Sequence, residues 1–208
     1  MEILVPYDPT EPKRRLRPAL DAPERQAFAE AMLTDVIGAI DTADHVPVVL
    51  TPAGSSLRCP CEVVHDARSL STAVTAQTSR RLTAGAPAVG VIMADCALVT
   101  PETVERFMST PGPVVLAPGR GGGTNGMVIR EPAFTADYHG ASILDHRQVA
   151  ATLGSPATEV DSMRLSTDID EPVDLPEVLL HSDGQAAALL RSWGFTLSRD
   201  DGRVGVTR

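Results

Sequence analysis

The sequence predicts an α/β fold in three layers, a mostly parallel sheet with helices on both faces, finished by a C-terminal helix and β-hairpin. Two observations predict the layers. Short apolar runs such as residues 3–5, 46–50, 89–94 and 114–117 read as strands. Between them lie longer stretches whose apolar residues recur every three or four positions, and such alternation places crossover helices on a parallel sheet. A third observation predicts the ending: Asp201-Gly202 stands between two short β-like runs, a hairpin signal.

Taken in order, Ile3-Leu4-Val5 is a first strand stopped by Pro6. Pro9 and Pro12 keep residues 7–13 extended, because the residue before a proline avoids the α region. Asp21-Ala22-Pro23-Glu24 opens a helix, with proline in the first turn and an acid facing the dipole. Phe28, Met32, Leu33, Val36, Ile37 and Ile40 then form one apolar stripe. Strands are expected at 46–50 and 62–64, a helix at 69–82 and a buried strand at 89–94. Thr100-Pro101-Glu102 starts a helix through Met108, followed by strands at 114–117 and 127–129. A helix at 142–153, a strand-like segment at 164–166 and a helix at 173–180 come next. A helix at 185–193 leads into the hairpin of 195–197 and 204–206. No repeat, low-complexity tract or linker interrupts this order, so residues 1–208 are read as one domain.

Composition narrows the function. The 208 residues are 43% hydrophobic and 22% charged, a globular balance. The apolar runs fall far short of the ~20 residues that cross a bilayer, and residues 1–5 carry no basic stretch ahead of an apolar core. A soluble, cytoplasmic protein without a membrane partner is expected. The net charge of −9 argues against a nucleic-acid partner, which requires concentrated positive charge. The three cysteines, Cys59, Cys61 and Cys96, match no zinc spacing and are expected to be reduced. Lys13 is the only lysine among 18 basic residues. Its compact ammonium, beside Arg14 and Arg15, is a point charge suited to phosphate.

Ligands of such sheets sit beyond the carboxyl ends of the strands, at a switch in strand order. Four segments there carry candidate residues. Pro6 through Leu16 gathers Lys13, Arg14 and Arg15 on a proline-stiffened loop, a site for triphosphate or a solvated basic turn. It is no Walker loop, since no glycine-rich stretch precedes the lysine. Asp95, just after a buried strand, could hold a divalent cation with phosphate oxygens or cap the following turn. Gly119 to Gly126 has five glycines in eight residues, whose N–H groups can point at an anion, with Thr124 and Asn125 adding side-chain bonds. Downstream, Gly140-Ala141-Ser142 opens a helix, with Ser142 as N-cap or anion site. Finally, Asp168 and Asp170 would point to one side of an extended chain and converge with Asp95, while Glu171, Pro172 and Asp174 suit a helix start. No Gly-x-Ser-x-Gly elbow or Cys-His signature is present.

Together these segments resemble the 2-phospho-L-lactate guanylyltransferases, archaeal enzymes of coenzyme F-420 biosynthesis within the molybdenum-cofactor-guanylyltransferase-like nucleotidyltransferases. The resemblance runs through Val5-Pro6, Lys13-x-Arg15-Leu16, Glu24-Arg25, Met32-Leu33 and Met93-Ala94-Asp95. It continues through Gly121-Gly122-Gly123-Thr124-Asn125, Gly140-x-Ser142, His146, Asp168-Ile169-Asp170 and Gly202-Arg203-Val204-Gly205. Two departures stand out. Cys96-Ala97-Leu98 replaces the family's Leu-Pro-Leu, and Arg14 stands where a small hydroxyl residue is common.

The resemblance implies a Rossmann-like nucleotidyltransferase fold of the nucleotide-diphospho-sugar-transferase type. It also implies transfer of GMP from GTP to a phosphorylated three-carbon acid, 2-phospho-L-lactate, with release of pyrophosphate. In that assignment Asp95 and Asp168 hold Mg²⁺ (or Mn²⁺), while Lys13, Arg15 and Pro6 bind the nucleotide. Thr124, Gly140 and Ser142 bind the acceptor, Asn125 shapes the loop, and Asp170, ranked below Asp168, either supports the metal residues or is a metal residue itself. Residues 185–208 would contribute a homodimer contact. Two alternatives stay open: another acceptor on the same fold (phosphoenolpyruvate, 3-phosphoglycerate, a sugar phosphate or a molybdopterin), or nucleotide binding without catalysis.

Overall fold

The computed structural model describes residues 1–199, 202 and 204–208. Asp201 of the expected hairpin turn and Arg203 of the C-terminal motif lie outside the described residues. The elements run β1 (Glu2–Pro6), α1 (Ala22–Thr42), β2 (Val46–Pro52), β3 (Glu62–Asp66), α2 (Leu70–Thr83), β4 (Val89–Ile92) and α3 (Pro101–Ser109). They continue β5 (Val114–Pro118), β6 (Thr124–Ile129), α4 (Ser142–Thr152), β7 (Thr158–Glu159), α5 (Met163–Ser166), α6 (Leu175–His181), α7 (Gln185–Ser192), β8 (Thr196–Ser198) and β9 (Gly205–Thr207). Seven strands form one sheet in the order β3-β2-β1-β4-β6-β5-β7, and β8 and β9 pair antiparallel as a separate hairpin. Within the large sheet only β6 runs against its neighbours.

This order fixes where a ligand can lie. Strand β1 pairs parallel with both β2 and β4, so the chain leaving β1 winds to one side and the chain leaving β4 to the other. The crevice opens where those loops part, above Pro6 and Ile92.

The central strands β1, β2, β4, β5 and β6 are buried on both faces, as strands covered by helices are. Alternate residues serve opposite sides. Ile3, Val5, Val115 and Val128 join α1, α3, α6 and α7, whereas Leu4, Val114, Leu116 and Met127 join α2 and α4. Helix α3 lies tight on the sheet because Gly90 has no side chain: a Cβ there would stand 2.8 Å from Met108 Sδ and 2.9 Å from Ile3 Cγ1. Helix α1 begins as its sequence signals. Asp21 accepts from the Glu24 N–H at 2.8 Å, and the Glu24 side chain accepts from the Asp21 N–H at 3.0 Å, a complete capping box.

Several expectations are corrected. Residues 164–166 form the helical turn α5, because Ser162 caps it by accepting from the Leu165 N–H and no β-branched residue in Met-Arg-Leu-Ser favours a strand. The loop after β1 is not extended throughout: Glu11 and Lys13 adopt left-handed φ values of 45° and 54°. Thr124 and Asn125 belong to β6, since β5 and β6 close a hairpin whose glycine turn ends at Gly123. Ser142 is the first residue of α4, and the N-cap is Ala141, with no side-chain cap bond. Strand β4 ends at Ile92, two residues early. The two-residue strand β7, paired with β5 at the sheet edge, carries no sequence signal. No helix among the described residues is long and apolar enough to cross a membrane.

Candidate active site

Lys13 organises the crevice. Its Nζ lies 2.7 Å from Asp95 Oδ2 and 2.6 Å from Asp170 Oδ1, bonds spanning 82 and 157 residues of sequence. The side chain is 11% exposed. Burial by itself would lower the ammonium's pKa, but Asp95 and Asp170 outweigh it and raise the group above its usual range, so Lys13 is charged at neutral pH. An ammonium has three N–H donors; two are engaged by these carboxylates and one remains for the crevice. The left-handed backbone at Lys13 (φ 54°, ψ 46°) costs on the order of 1–3 kcal/mol in a non-glycine residue. The buried ion pairs offset that cost and hold the loop against the sheet.

Arg15 reaches the same acids from outside, 3.6 Å from Asp170 Oδ2 and 3.7 Å from Glu171 Oε1. Arg14 pairs with Glu11 at 2.6 Å, an exposed pair that adds little to stability, and both line the crevice. A cavity of about 330 Å³ is lined by Pro6, Tyr7, Glu11, Lys13, Arg15, Met93, Asp95 and Asp170. A neighbouring one of about 390 Å³ shares Pro6, Tyr7, Asp8 and Met93 and adds Thr51, Asp66 and Arg68.

Asp168 joins this end of the sheet through Asn125. The Asn125 Nδ2 donates to Asp168 Oδ1 at 3.0 Å and to the Leu165 carbonyl at 2.9 Å. Close by, the Ile169 N–H donates to the Asp95 carbonyl at 3.2 Å. Cys96, between the two acids, has its thiol pKa raised well above the usual value by burial and then by Asp95 and Asp168. The Ile169–Asp95 backbone bond thus brings the two segments together; Asp95 lines the first cavity, and Asp168 is not among the residues lining either one. Asp168 and Asp170, expected to share a side, take different partners: Asp168 goes to Asn125 and Asp170 to the lysine.

Thr124 and Ser142 form a second group. Both are buried, and Ser142 Oγ donates to Thr124 Oγ1 at 3.3 Å. Thr124 Oγ1 also lies 2.8 Å from His146 Nδ1. On the other side of that ring, Nε2 accepts from the Asp137 N–H at 2.8 Å. Since an amide N–H can only donate, Nε2 carries the lone pair, and the neutral ring holds its proton on Nδ1 and donates it to Thr124. Burial lowers the His146 pKa to about 4. The Thr124 hydroxyl thus receives two bonds and keeps its own proton for another acceptor. Gly140 sits in an open turn at φ 48°.

The sequence carries no signal for the His146–Thr124 pairing or for Thr51, whose Oγ1 is buried without a partner; Tyr7 and Met93 fall within the expected crevice segments and line the cavity. The sequence ranks Asp170 below Asp168; in the structure Asp170 takes the contact to Lys13 and Asp168 the contact to Asn125.

Among the described residues no three His, Cys, Asp or Glu side chains form a ready-made cage for a divalent cation. Asp95 Oδ1, however, is buried with no hydrogen-bond partner while Oδ2 holds Lys13, an orphaned anionic oxygen at the crevice. This suits an ion bound by one or two carboxylates, substrate phosphate and water, as Mg²⁺ usually is.

Known proteins resemble this chain in both sequence and fold. A family model described as guanylyl transferase, CofC-like, matches residues 1–208. A Halomicrobium mukohataei protein named 2-phospho-L-lactate guanylyltransferase is 51% identical over 208 residues, covering 100% of both chains. Its namesake from Natronomonas pharaonis is 50% identical over 100% of this chain and 99% of its own. Among solved structures, a candidate nucleotide-diphospho-sugar transferase from Desulfovibrio desulfuricans G20 superposes with a TM-score of 0.78 at 14% identity, covering 92% of this chain and 94% of that one. A cytidylyltransferase from Leptospira borgpetersenii follows at 0.54, with 13% identity and 93% coverage of each. At such identities the structures speak for the nucleotidyltransferase-like fold alone. The full-length family match and relatives sharing half the residues decide the rest: this chain belongs to the CofC-like guanylyl transferases.

Proposed function

We propose that this chain transfers the guanylyl group of GTP to 2-phospho-L-lactate, giving lactyl-2-diphospho-5′-guanosine and pyrophosphate. The observation that carries this reading is the buried Lys13 between Asp95 and Asp170 at the crevice mouth, in a chain whose full-length relatives bear that enzyme name. A phosphate oxygen of the acceptor attacks the α-phosphorus, a new P–O bond forms, and the bond to the bridging oxygen breaks with its electrons leaving on pyrophosphate. The attacking phosphate is already ionised at neutral pH, so no general base is needed. Catalysis is then positioning and charge neutralisation.

Each residue has a part in this reading. The free N–H of Lys13 and the Arg15 guanidinium bind the departing β- and γ-phosphates, while Pro6 shapes the wall beside them. Asp170 fixes the Lys13 ammonium in place. Asp95 and Asp168 are the residues that would hold Mg²⁺ or Mn²⁺, and Asn125 orients Asp168. When bound, the ion supplies Lewis-acid stabilisation of charge on the phosphoryl oxygens. The proton left on Thr124 is available to the acceptor, next to Ser142 and the Gly140 turn. The second cavity, with the unpartnered Thr51 hydroxyl, accommodates the base. One domain in a cytoplasmic setting, with the 185–208 segment contributing a homodimer contact, completes the reading.

The test is an acceptor screen with product mass. Purified protein with GTP, Mg²⁺ and 2-phospho-L-lactate should release pyrophosphate and yield the guanylylated acid. Phosphoenolpyruvate, 3-phosphoglycerate and sugar phosphates compete in parallel. Product with another acceptor only, or with none, would overturn the assignment.

A further inference from the structure

Two of the three cysteines lie on the segment that crosses from β2 to β3, as Cys59-Pro60-Cys61. Their Sγ atoms stand 2.8 Å apart, inside the ordinary van der Waals separation of two sulfurs; a disulfide needs about 2.05 Å. Both are free thiols, half-buried where this segment packs against the α1 side of the core. A groove lined by Glu30 and Thr34 of α1 and by Ser56, Arg58 and Cys59 opens beside them, giving a small reagent access to Cys59. The nucleotide crevice lies elsewhere and contains neither cysteine. Cys96 is fully buried, its sulfur near the Asn125 and Leu165 carbonyls.

We propose that Cys59 and Cys61 form a vicinal dithiol site that a small-molecule disulfide oxidises to an intrachain bridge and that small thiols reduce again. The Cys59 thiolate attacks one sulfur of the reagent; that S–S bond breaks and one small thiolate leaves with the bonding pair. Cys61 then loses its proton to water and attacks Cys59 Sγ, expelling the second small thiolate. Two protein thiols are oxidised and one disulfide becomes two thiols. The order follows from the surroundings. The groove reaches Cys59 and not Cys61, while burial and then the neighbouring Cys59 raise the Cys61 thiol pKa above its usual range, and only thiolates attack. The closed loop spans a single intervening residue, so it barely restrains the unfolded chain. The bridge changes thiol reactivity rather than stability.

The reduced full-length protein, incubated with glutathione disulfide, quenched in an alkylating agent and digested, tests this. The peptide containing residues 59–61 should lose two hydrogens and escape alkylation, Cys96 should remain alkylatable, and added dithiothreitol should restore both thiols. Cys61→Ser should instead stop at a stable glutathione adduct on Cys59, with pyrophosphate release from GTP unchanged. Persistence of both thiols, separate adducts on the two cysteines of the unaltered protein, or a bridge between chains would overturn the proposal.

Discussion

Lys13 is held by opposite charges on two distant segments, and this sets what its loss would do. Lys13→Met removes the cation that separates Asp95 from Asp170 and leaves two carboxylates facing each other in a half-buried site. Turnover should fall by ~10²-fold or more, the scale of losing a main electrostatic stabiliser. Steady-state pyrophosphate release, with folding checked by circular dichroism, measures it; near-normal turnover would remove Lys13 from the reaction. His146 makes a second claim at this scale. Its pKa of about 4 lies below the ordinary value near 6.5, so the fold favours the neutral ring. The stability that this preference contributes is complete above pH 6.5 and is lost as pH falls from there toward 4. Thermal denaturation across that window should show a decline that His146→Gln flattens, the variant starting roughly 1–3 kcal/mol less stable because buried Thr124 and the Asp137 N–H lose a fitted partner. An identical pH profile in both proteins would contradict the assignment. Lys13 was legible in the sequence because a lone lysine among arginines is conspicuous. His146 stands out only through the family resemblance, and nothing in the sequence points to its partner, a threonine 22 residues earlier.

At the scale of elements, the helices were legible wherever the signal is local. Asp21 with Glu24, Ser69 and Thr100 each cap the helix they precede, and apolar spacing gives the buried face. Elements whose partners are remote were not. The N-terminus of α7 is capped from α1: Asp35 accepts from the Gln185 N–H at 2.6 Å and from the Ala186 N–H at 2.9 Å. Gly184 is required there because a Cβ would stand 2.6 Å from that carboxylate. Asp35→Ala should therefore destabilise the protein by ~1 kcal/mol, as loss of a cap does. For a chain of this size that lowers Tm by roughly 2–4 °C, with kcat unaffected. Differential scanning calorimetry checks it, and an unchanged Tm would show that the cap contributes nothing. The misread segment at 164–166 has the same origin. Its cap, Ser162, precedes a run too short for periodicity to separate helix from strand.

For the whole molecule, the strand order brings residues 6–15, 93–96 and 168–171 to one end of the sheet, and the reversed β6 brings Asn125 there as well. The parallel sheet and its crevice followed from the alternation of strands and helices. The reversal of β6 did not, because a glycine-rich turn before a short apolar run is equally consistent with a flexible loop. The net charge is −9, and in the crevice Lys13, Arg14 and Arg15 stand among Asp8, Glu11, Asp95 and Asp170; charges beyond ~8 Å are screened at physiological salt. The central claim is that Asp95, with one oxygen on Lys13 and the other buried and free, belongs to the transfer machinery. Asp95→Asn measures it most directly, since the amide keeps the shape and removes the charge. With folding confirmed by an unchanged Tm within a few degrees, pyrophosphate release from GTP and 2-phospho-L-lactate should fall by ~10²-fold or more. Turnover equal to that of the unaltered protein would contradict the account.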